Sequence, residues 1–134
     1  MKAASLLLLL LALTSCTDFG GNTTIAQYEI DSLIAKPDSI SIGDTVKTTL
    51  GIYLDCTNRI TRIDTLVDAA SMPHQLMLSV FGTIWAGSGP RPACVARFTK
   101  IEVGIVLPRS GIWIIEANEP AGSRQALRDT TFVR

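Results

Sequence analysis

Apolar and polar residues alternate along most of the chain, and the alternation is clearest over residues 45–56. One face of this stretch carries the residues that can be buried, namely Val46, Thr48, Leu50, Ile52, Leu54 and Cys56. Successive side chains of a strand point to opposite faces of a sheet, so this pattern predicts a half-buried antiparallel strand. It also predicts that Cys56 faces the core.

Shorter alternating stretches predict further strands. The predicted strands lie at 25–34, 40–42, 60–67, 74–85, 94–107, 112–117 and 127–133. The first also fits one face of a helix, and we favour a strand because the rest of the pattern is β. We expect an edge strand at 60–67 and a central strand at 74–85, where both faces are apolar. A change of phase near Thr99 and Lys100 predicts a bulge or a bend.

Turn residues separate most of these strands, and residues 86–93, which contain Gly-Ser-Gly-Pro-Arg-Pro, are expected to form an exposed loop. A series of about seven to nine short strands without a long helical pattern is typical of an all-β domain. We therefore expect residues 25–134 to form an antiparallel β-sandwich. A small closed β-barrel is the alternative.

The pattern changes at the amino terminus. Lys2 precedes an almost wholly apolar run over residues 3–13, and the small residues Thr14 and Ser15 follow it. A positive start, an apolar run and small residues are the parts of a secretory signal. The run is too short for a permanent membrane helix, which needs roughly 20 apolar residues.

Leu13, Thr14, Ser15 and Cys16 resemble the lipobox of bacterial lipoprotein signal peptides, an aliphatic residue and two small residues before a cysteine. The resemblance implies removal of residues 1–15 and lipidation of Cys16. Residues 16–24 would then form a lipidated flexible tether, and the domain would lie in the cell envelope, outside the cytoplasm. Thr17 directly after the cysteine favours the outer membrane. The alternative is an ordinary secretory signal.

The remaining cysteines are Cys56 and Cys94. An exported chain with two cysteines is expected to pair them in one disulfide, and two buried free thiols are the alternative. The chain carries 12 basic and 12 acidic side chains, so its net charge is zero. This balance gives no basic surface for a phosphate backbone, and we expect no nucleic-acid partner.

The segment Ser110-Gly111-Ile112-Trp113-Ile114 resembles the entry to the penultimate strand of many immunoglobulin-like domains. There a Gly-x-Tyr-x-aliphatic run follows a turn, and Trp113 would take the place of the tyrosine. The resemblance implies a loosely immunoglobulin-like sandwich. The order of cysteines and tryptophans differs from that of antibody domains.

An aspartate followed by a hydroxyl residue and then an aliphatic residue or threonine recurs along the chain. The triplets begin at Asp31, Asp38, Asp44, Asp64 and Asp129. They resemble the acceptor of an O-glycosylation system of exported bacterial proteins. We favour turn chemistry instead, because aspartate accepts local backbone hydrogen bonds before a strand.

The sequence shows no convincing catalytic constellation, metal-ligand spacing or cofactor motif. His74 is the only histidine, and its position after Pro73 suggests a solvated or capping residue. We expect a membrane-anchored, non-catalytic binding or structural module whose partner is an envelope protein or a surface polysaccharide. The alternatives are a β-barrel carrier of an apolar ligand and a small envelope hydrolase that depends on His74.

Overall fold

The computed structural model describes residues 23–122 and 126–134. The predicted signal peptide, Cys16 and most of the tether lie outside the described residues. The strands are β1 (Thr23–Tyr28), β2 (Ser32–Lys36), β3 (Ser39–Ile40), β4 (Thr45–Leu54), β5 (Arg59–Asp68), β6 (His74–Trp85), β7 (Arg97–Val106), β8 (Gly111–Ala117) and β9 (Arg128–Val133). In this part of the chain, no helix is long and apolar enough to cross a membrane.

The larger sheet is built around β6, which confirms the predicted central strand. Along one side, β5 pairs antiparallel with residues 75–83 of β6. Along the other, β8 pairs parallel with residues 74–78 and β1 pairs antiparallel with residues 80–85, so β8 and β1 lie end to end. The sheet continues from β8 through β9 to β3. β5 is an edge strand, as the weak alternation predicted.

The smaller sheet has the order β2-β4-β7. β4 and β7 pair antiparallel without a break from Thr45↔Val106 to Leu54↔Arg97. The predicted bulge near Thr99 and Lys100 is therefore wrong. The unbroken ladder keeps Thr99 on the inner face and turns Phe98 outward, so the apparent change of phase reflects an exposed aromatic residue. A register shift occurs in β5 instead, between Ile60 and Arg62.

Both sheets contribute to one hydrophobic core, and the fold is all-β with two sheets. The smaller sheet supplies the even-numbered face of β4, where Val46, Thr48, Leu50 and Ile52 are buried as the alternation predicted. The larger sheet supplies fully buried residues of its central strands, namely Leu76, Leu78, Val80, Trp113 and Ile115.

Tyr28 ties three strands of the larger sheet together. Its ring lies across Gly82 of β6, where an added Cβ would come within 2.7 Å of the ring. Its hydroxyl donates to the carbonyl of Thr83 in β6, and the carbonyl of Arg59 in β5 lies 3.5 Å away. Burial raises the pKa of Tyr28, so the phenol keeps the proton that it donates. Gly82 is required here because a Cβ would clash with the backbone carbonyl of Arg59 and with the ring.

Candidate functional site

Residues 86–96 connect β6 to β7 without regular secondary structure. This confirms the loop predicted at 86–93, but the strand predicted from residue 94 begins only at Arg97. Its glycines and prolines interrupt strand pairing, because glycine weakens a strand and proline lacks a backbone donor. Most of its side chains are exposed. Exposed loops on a rigid scaffold often carry recognition, so this loop is the first candidate surface.

A disulfide holds the end of this loop. Cys94 is bonded to Cys56, and their Cα atoms lie 5.7 Å apart. β4 ends at Leu54, so Cys56 lies in the following turn and is exposed. The prediction that Cys56 faces the core was therefore wrong, because the strand ends two residues before it. The bond joins the loop to the end of β4 and does not bridge the two sheets.

An ion pair holds the middle of the loop to the same turn. The Arg91 guanidinium donates to the carboxylate of Asp55, whose side chain is only 8% exposed. Asp55 also accepts the backbone N–H of Thr57 at 2.8 Å and the Thr57 hydroxyl at 2.6 Å. One carboxylate thus receives donors from the loop and the turn. The sequence offered no signal for this pairing, because Asp55 and Arg91 lie far apart along the chain.

Apolar side chains are exposed beside these anchors. Tyr53 and Phe98 are cross-strand partners on the outer face of the smaller sheet, with ring centroids 5.2 Å apart in an edge-to-face arrangement. They are 55% and 44% exposed, and Val95 in the loop is 84% exposed. We call Tyr53, Val95 and Phe98 the loop-end patch. The alternation of β4 placed Tyr53 outward, but only the register of β7 brought Phe98 beside it.

Gly51 fixes the orientation of the Phe98 ring. A Cβ at Gly51 would overlap the tip of that ring and the hydroxyl of Ser32. The tip of the ring therefore lies over the glycine, and the ring packs edge to face with Tyr53. A rigid, half-exposed aromatic pair contributes binding area with little loss of side-chain entropy.

The side chain of His74 is buried and is not solvated. His74 opens β6 directly opposite Trp113 of β8, and the two rings pack in a tilted arrangement with centroids 4.8 Å apart. Its Nε2 lies 3.2 Å from the backbone carbonyl of Ser110, an acceptor, so this nitrogen carries the proton. The prediction of a solvated or capping histidine was wrong, because pairing of β6 with β8 places the ring in the interior. In the described residues this is its only hydrogen bond, and no nucleophile joins it.

Trp113 closes the turn that precedes β8. Its indole N–H donates to the carbonyl of Arg109 at 2.8 Å. The bond runs from an aromatic side chain to the backbone four residues upstream. It therefore resembles the hydrogen bond of a tyrosine corner.

Two carboxyl groups have shifted pKa values. Hydrogen bonds from the hydroxyl and backbone of Ser71, together with the backbone N–H of Ala70, hold the pKa of Asp68 below its ordinary value. Burial raises the pKa of Glu119, against a stabilising bond from the N–H of Ile30 at 3.1 Å. Both carboxyl groups accept backbone N–H groups, Asp68 from Ala70 and Ser71 and Glu119 from Ile30.

Two aspartates of the recurring triplets also accept hydrogen bonds from backbone N–H groups. Asp44 accepts the N–H of Ser41 at 3.1 Å, and Asp129 accepts the N–H of Ala35 at 2.8 Å. These bonds favour turn and edge chemistry as the reason for the pattern. Glycosylation of the triplets stays a prediction.

Over residues 23–122 and 126–134, no group of three or more histidine, cysteine or acidic side chains is arranged to hold a metal ion. The chain matches no known protein family, no curated protein and no solved structure.

Proposed function

We propose that this chain is a bacterial lipoprotein, anchored in the cell envelope through Cys16, whose β domain is a non-catalytic binding module. The observation that carries the location is the run Leu13-Thr14-Ser15-Cys16 at the end of the apolar segment. Stable anchoring needs more than one acyl chain, at about 0.8 kcal/mol per buried methylene, and lipidation of the lipobox cysteine supplies them. Thr17 favours the outer membrane.

We further propose that the loop-end patch binds the partner. The disulfide to Cys56 and the ion pair between Arg91 and Asp55 hold residues 86–96 in place. A held loop loses little conformational entropy on binding, and this raises affinity. The patch is apolar and aromatic, so it suits an apolar protein surface or the face of a sugar ring. An envelope protein or a surface polysaccharide fits this chemistry.

The fold that presents the patch is, in this proposal, a β-sandwich of loosely immunoglobulin-like kind. Two sheets that share one core and the bond from Trp113 to Arg109 support it. The parallel pairs β6–β8 and β3–β9 set its strand order apart from the antiparallel sheets of antibody domains.

The anchor is tested by Cys16→Ala, followed by separation of membrane and soluble fractions. We expect the variant to leave the membrane fraction. In a strain lacking lipoprotein acylation, the share of Cys16→Ala in the membrane fraction should not change further. A variant that stays with the membrane contradicts the anchor at Cys16.

The binding surface is tested by a photo-crosslinking amino acid placed at Val95 in living cells. The matched control is Ile42, which is 58% exposed on the turn before β4, at the other end of the smaller sheet. We expect a discrete adduct from position 95 that is absent from position 42, and loss of that adduct in Phe98→Ser. Equal adducts from both positions, or none from position 95, contradict the proposed surface.

A further inference from the structure

The free edge of β7 is the longest regular strand edge in the described part of the chain. β7 has ten residues, contains no proline and pairs with β4 without a bulge. Its other side has no partner strand among the described residues. A flat edge of this kind exposes a row of backbone donors and acceptors that another strand can pair with.

The free edges of β2 and β5 are blocked. β2 has only five residues, and its outward N–H at Ala35 already donates to Asp129 at 2.8 Å. β5 carries a register shift between Ile60 and Arg62, which interrupts the regular row of groups on its edge. Bulges and side-chain caps are common ways to prevent strand addition. β7 has neither.

The hydrogen bonds of the smaller sheet show which groups of β7 are free. The backbone N–H of Ala35 points away from β4, so Ala35 and Thr48 form a non-hydrogen-bonded pair. The backbone N–H and carbonyl of Thr48 therefore point towards β7. The carbonyl of Gly51 accepts the N–H of Asp31 on the β2 side. The odd-numbered residues of β4 therefore direct their backbone groups towards β2, and the even-numbered residues direct theirs towards β7. In an antiparallel ladder the groups alternate sides. The free groups therefore belong to the even-numbered residues Phe98, Lys100, Glu102 and Gly104.

These residues match a second copy of the same strand. An antiparallel pair centred on Ile101 sets Lys100 opposite Glu102 of the other copy, and the two-fold axis repeats this pair. Both side chains are exposed on the outer face, and neither belongs to an ion pair within the described residues. The same register sets Phe98 opposite Gly104, which has no side chain to obstruct the ring. In this register the free backbone groups of Phe98, Lys100, Glu102 and Gly104 all find partners.

We propose that the chain forms a two-fold homodimer in which β7 pairs antiparallel with β7 of a second copy, centred on Ile101. The two smaller sheets then become one continuous sheet across the axis. The same surface serves both copies, as a closed two-fold interface requires. On the inner face, the half-buried Ile101 side chains meet each other, and Thr99 meets Val103.

The charge pattern supplies the first test, on the full chain purified in a density-matched detergent. Sedimentation velocity over a concentration series gives the dimer dissociation constant. Lys100→Glu places a glutamate opposite Glu102 of the other copy at both ends of the two-fold pair. We expect this repulsion to raise the dimer dissociation constant about tenfold or more. The double variant K100E/E102K restores opposite charges and is expected to return within about threefold of wild type. Lys47→Glu, exposed on the same face of β4, is the control and is expected to change little.

The register supplies the second test. Ile101 faces its own copy in a non-hydrogen-bonded pair, at a Cα separation of about 4.5 Å that a disulfide can span. Ile101→Cys should therefore form a covalent dimer on mild oxidation. Val103→Cys lies on the same face of the same strand, but its two copies would be roughly 13 Å apart. It should not crosslink to itself.

The proposal is overturned by a monomer at every concentration, by a double variant as weak as Lys100→Glu alone, or by Val103→Cys crosslinking as readily as Ile101→Cys. None of these outcomes depends on lipidation. Phe98 belongs both to the loop-end patch and to the proposed dimer interface, but none of the substituted residues belongs to the patch. A failure here therefore leaves the proposed function standing.

Discussion

The disulfide between Cys56 and Cys94 should account for a large share of the stability of the domain. The change that tests it is the double substitution Cys56→Ser and Cys94→Ser, which leaves no unpaired thiol in the domain. The bond closes a loop across a sequence separation of 38 residues. Cross-linking removes loop-closure entropy from the unfolded chain, and for this length the relation gives about 3.9 kcal/mol at 25 °C.

Urea unfolding, followed by tryptophan fluorescence, measures this loss. With a denaturant slope of about 2 kcal/mol per molar, the midpoint should fall by about 2 M. Hydrogen exchange should quicken most in residues 86–96, because the ion pair between Arg91 and Asp55 becomes their main anchor. Wild-type protein in reductant should unfold at the midpoint of the double variant.

Ser88→Ala, an exposed change in the same loop, is the matched control and should alter stability by less than about 0.5 kcal/mol. If the double variant lost no more than this control, the bond would not constrain the unfolded chain as argued. A loss confined to residues 86–96, with the global midpoint unchanged, would also contradict the reasoning.

Three further changes test the packing and the charges. Trp113→Phe removes the donor to Arg109 and part of a fully buried ring, so the free energy of unfolding should fall by about 2–3 kcal/mol in urea; a loss below 0.5 kcal/mol would contradict the buried bond. Gly51→Ala should displace the Phe98 ring and cost about 1–3 kcal/mol, and Phe98→Ala in the same chain should recover most of it; additive losses would show that the ring does not lie over the glycine. Burial raises the pKa of Glu119, so its contribution to stability is full below the pKa of the unfolded chain and is lost as the pH rises through the pKa of the folded protein. Glu119→Gln should therefore flatten the fall in melting temperature just above about pH 4–5. An unchanged profile of melting temperature against pH would argue against a buried carboxyl.

Local pattern was sufficient to predict the strands whose burial is one-sided. β4 is the clearest example, since each of Val46, Leu50 and Ile52 is buried where its place in the alternation put it. Apolar residues on both faces also predicted that residues 74–85 form a central strand. The pairing of Cys56 with Cys94 followed from the cysteine count. Each of these inferences needs only the pattern of neighbouring residues or the number of cysteines.

The residues whose positions the sequence did not predict correctly depend on partners that are distant in sequence. The residues next to His74 suggested a solvated side chain, but the parallel pairing of β6 with β8 packs its ring against Trp113. Phe98 suggested a bulge, whereas an unbroken register with β4 simply turns it outward beside Tyr53. The contact of Asp55 with Arg91 left no pattern at all.

The sequence by itself determined the all-β character of this protein, the inner face of β4 and the exposed loop, and it supplies the motif on which a lipid anchor is proposed. These features follow from side-chain periodicity and from short motifs, which act within a few residues. Only the tertiary structure decided which strands are neighbours, and so which aromatic residues form the loop-end patch and which edge of β7 is free. Strand order is set by burying the faces of both sheets at once, and no local stretch of the chain contains that information.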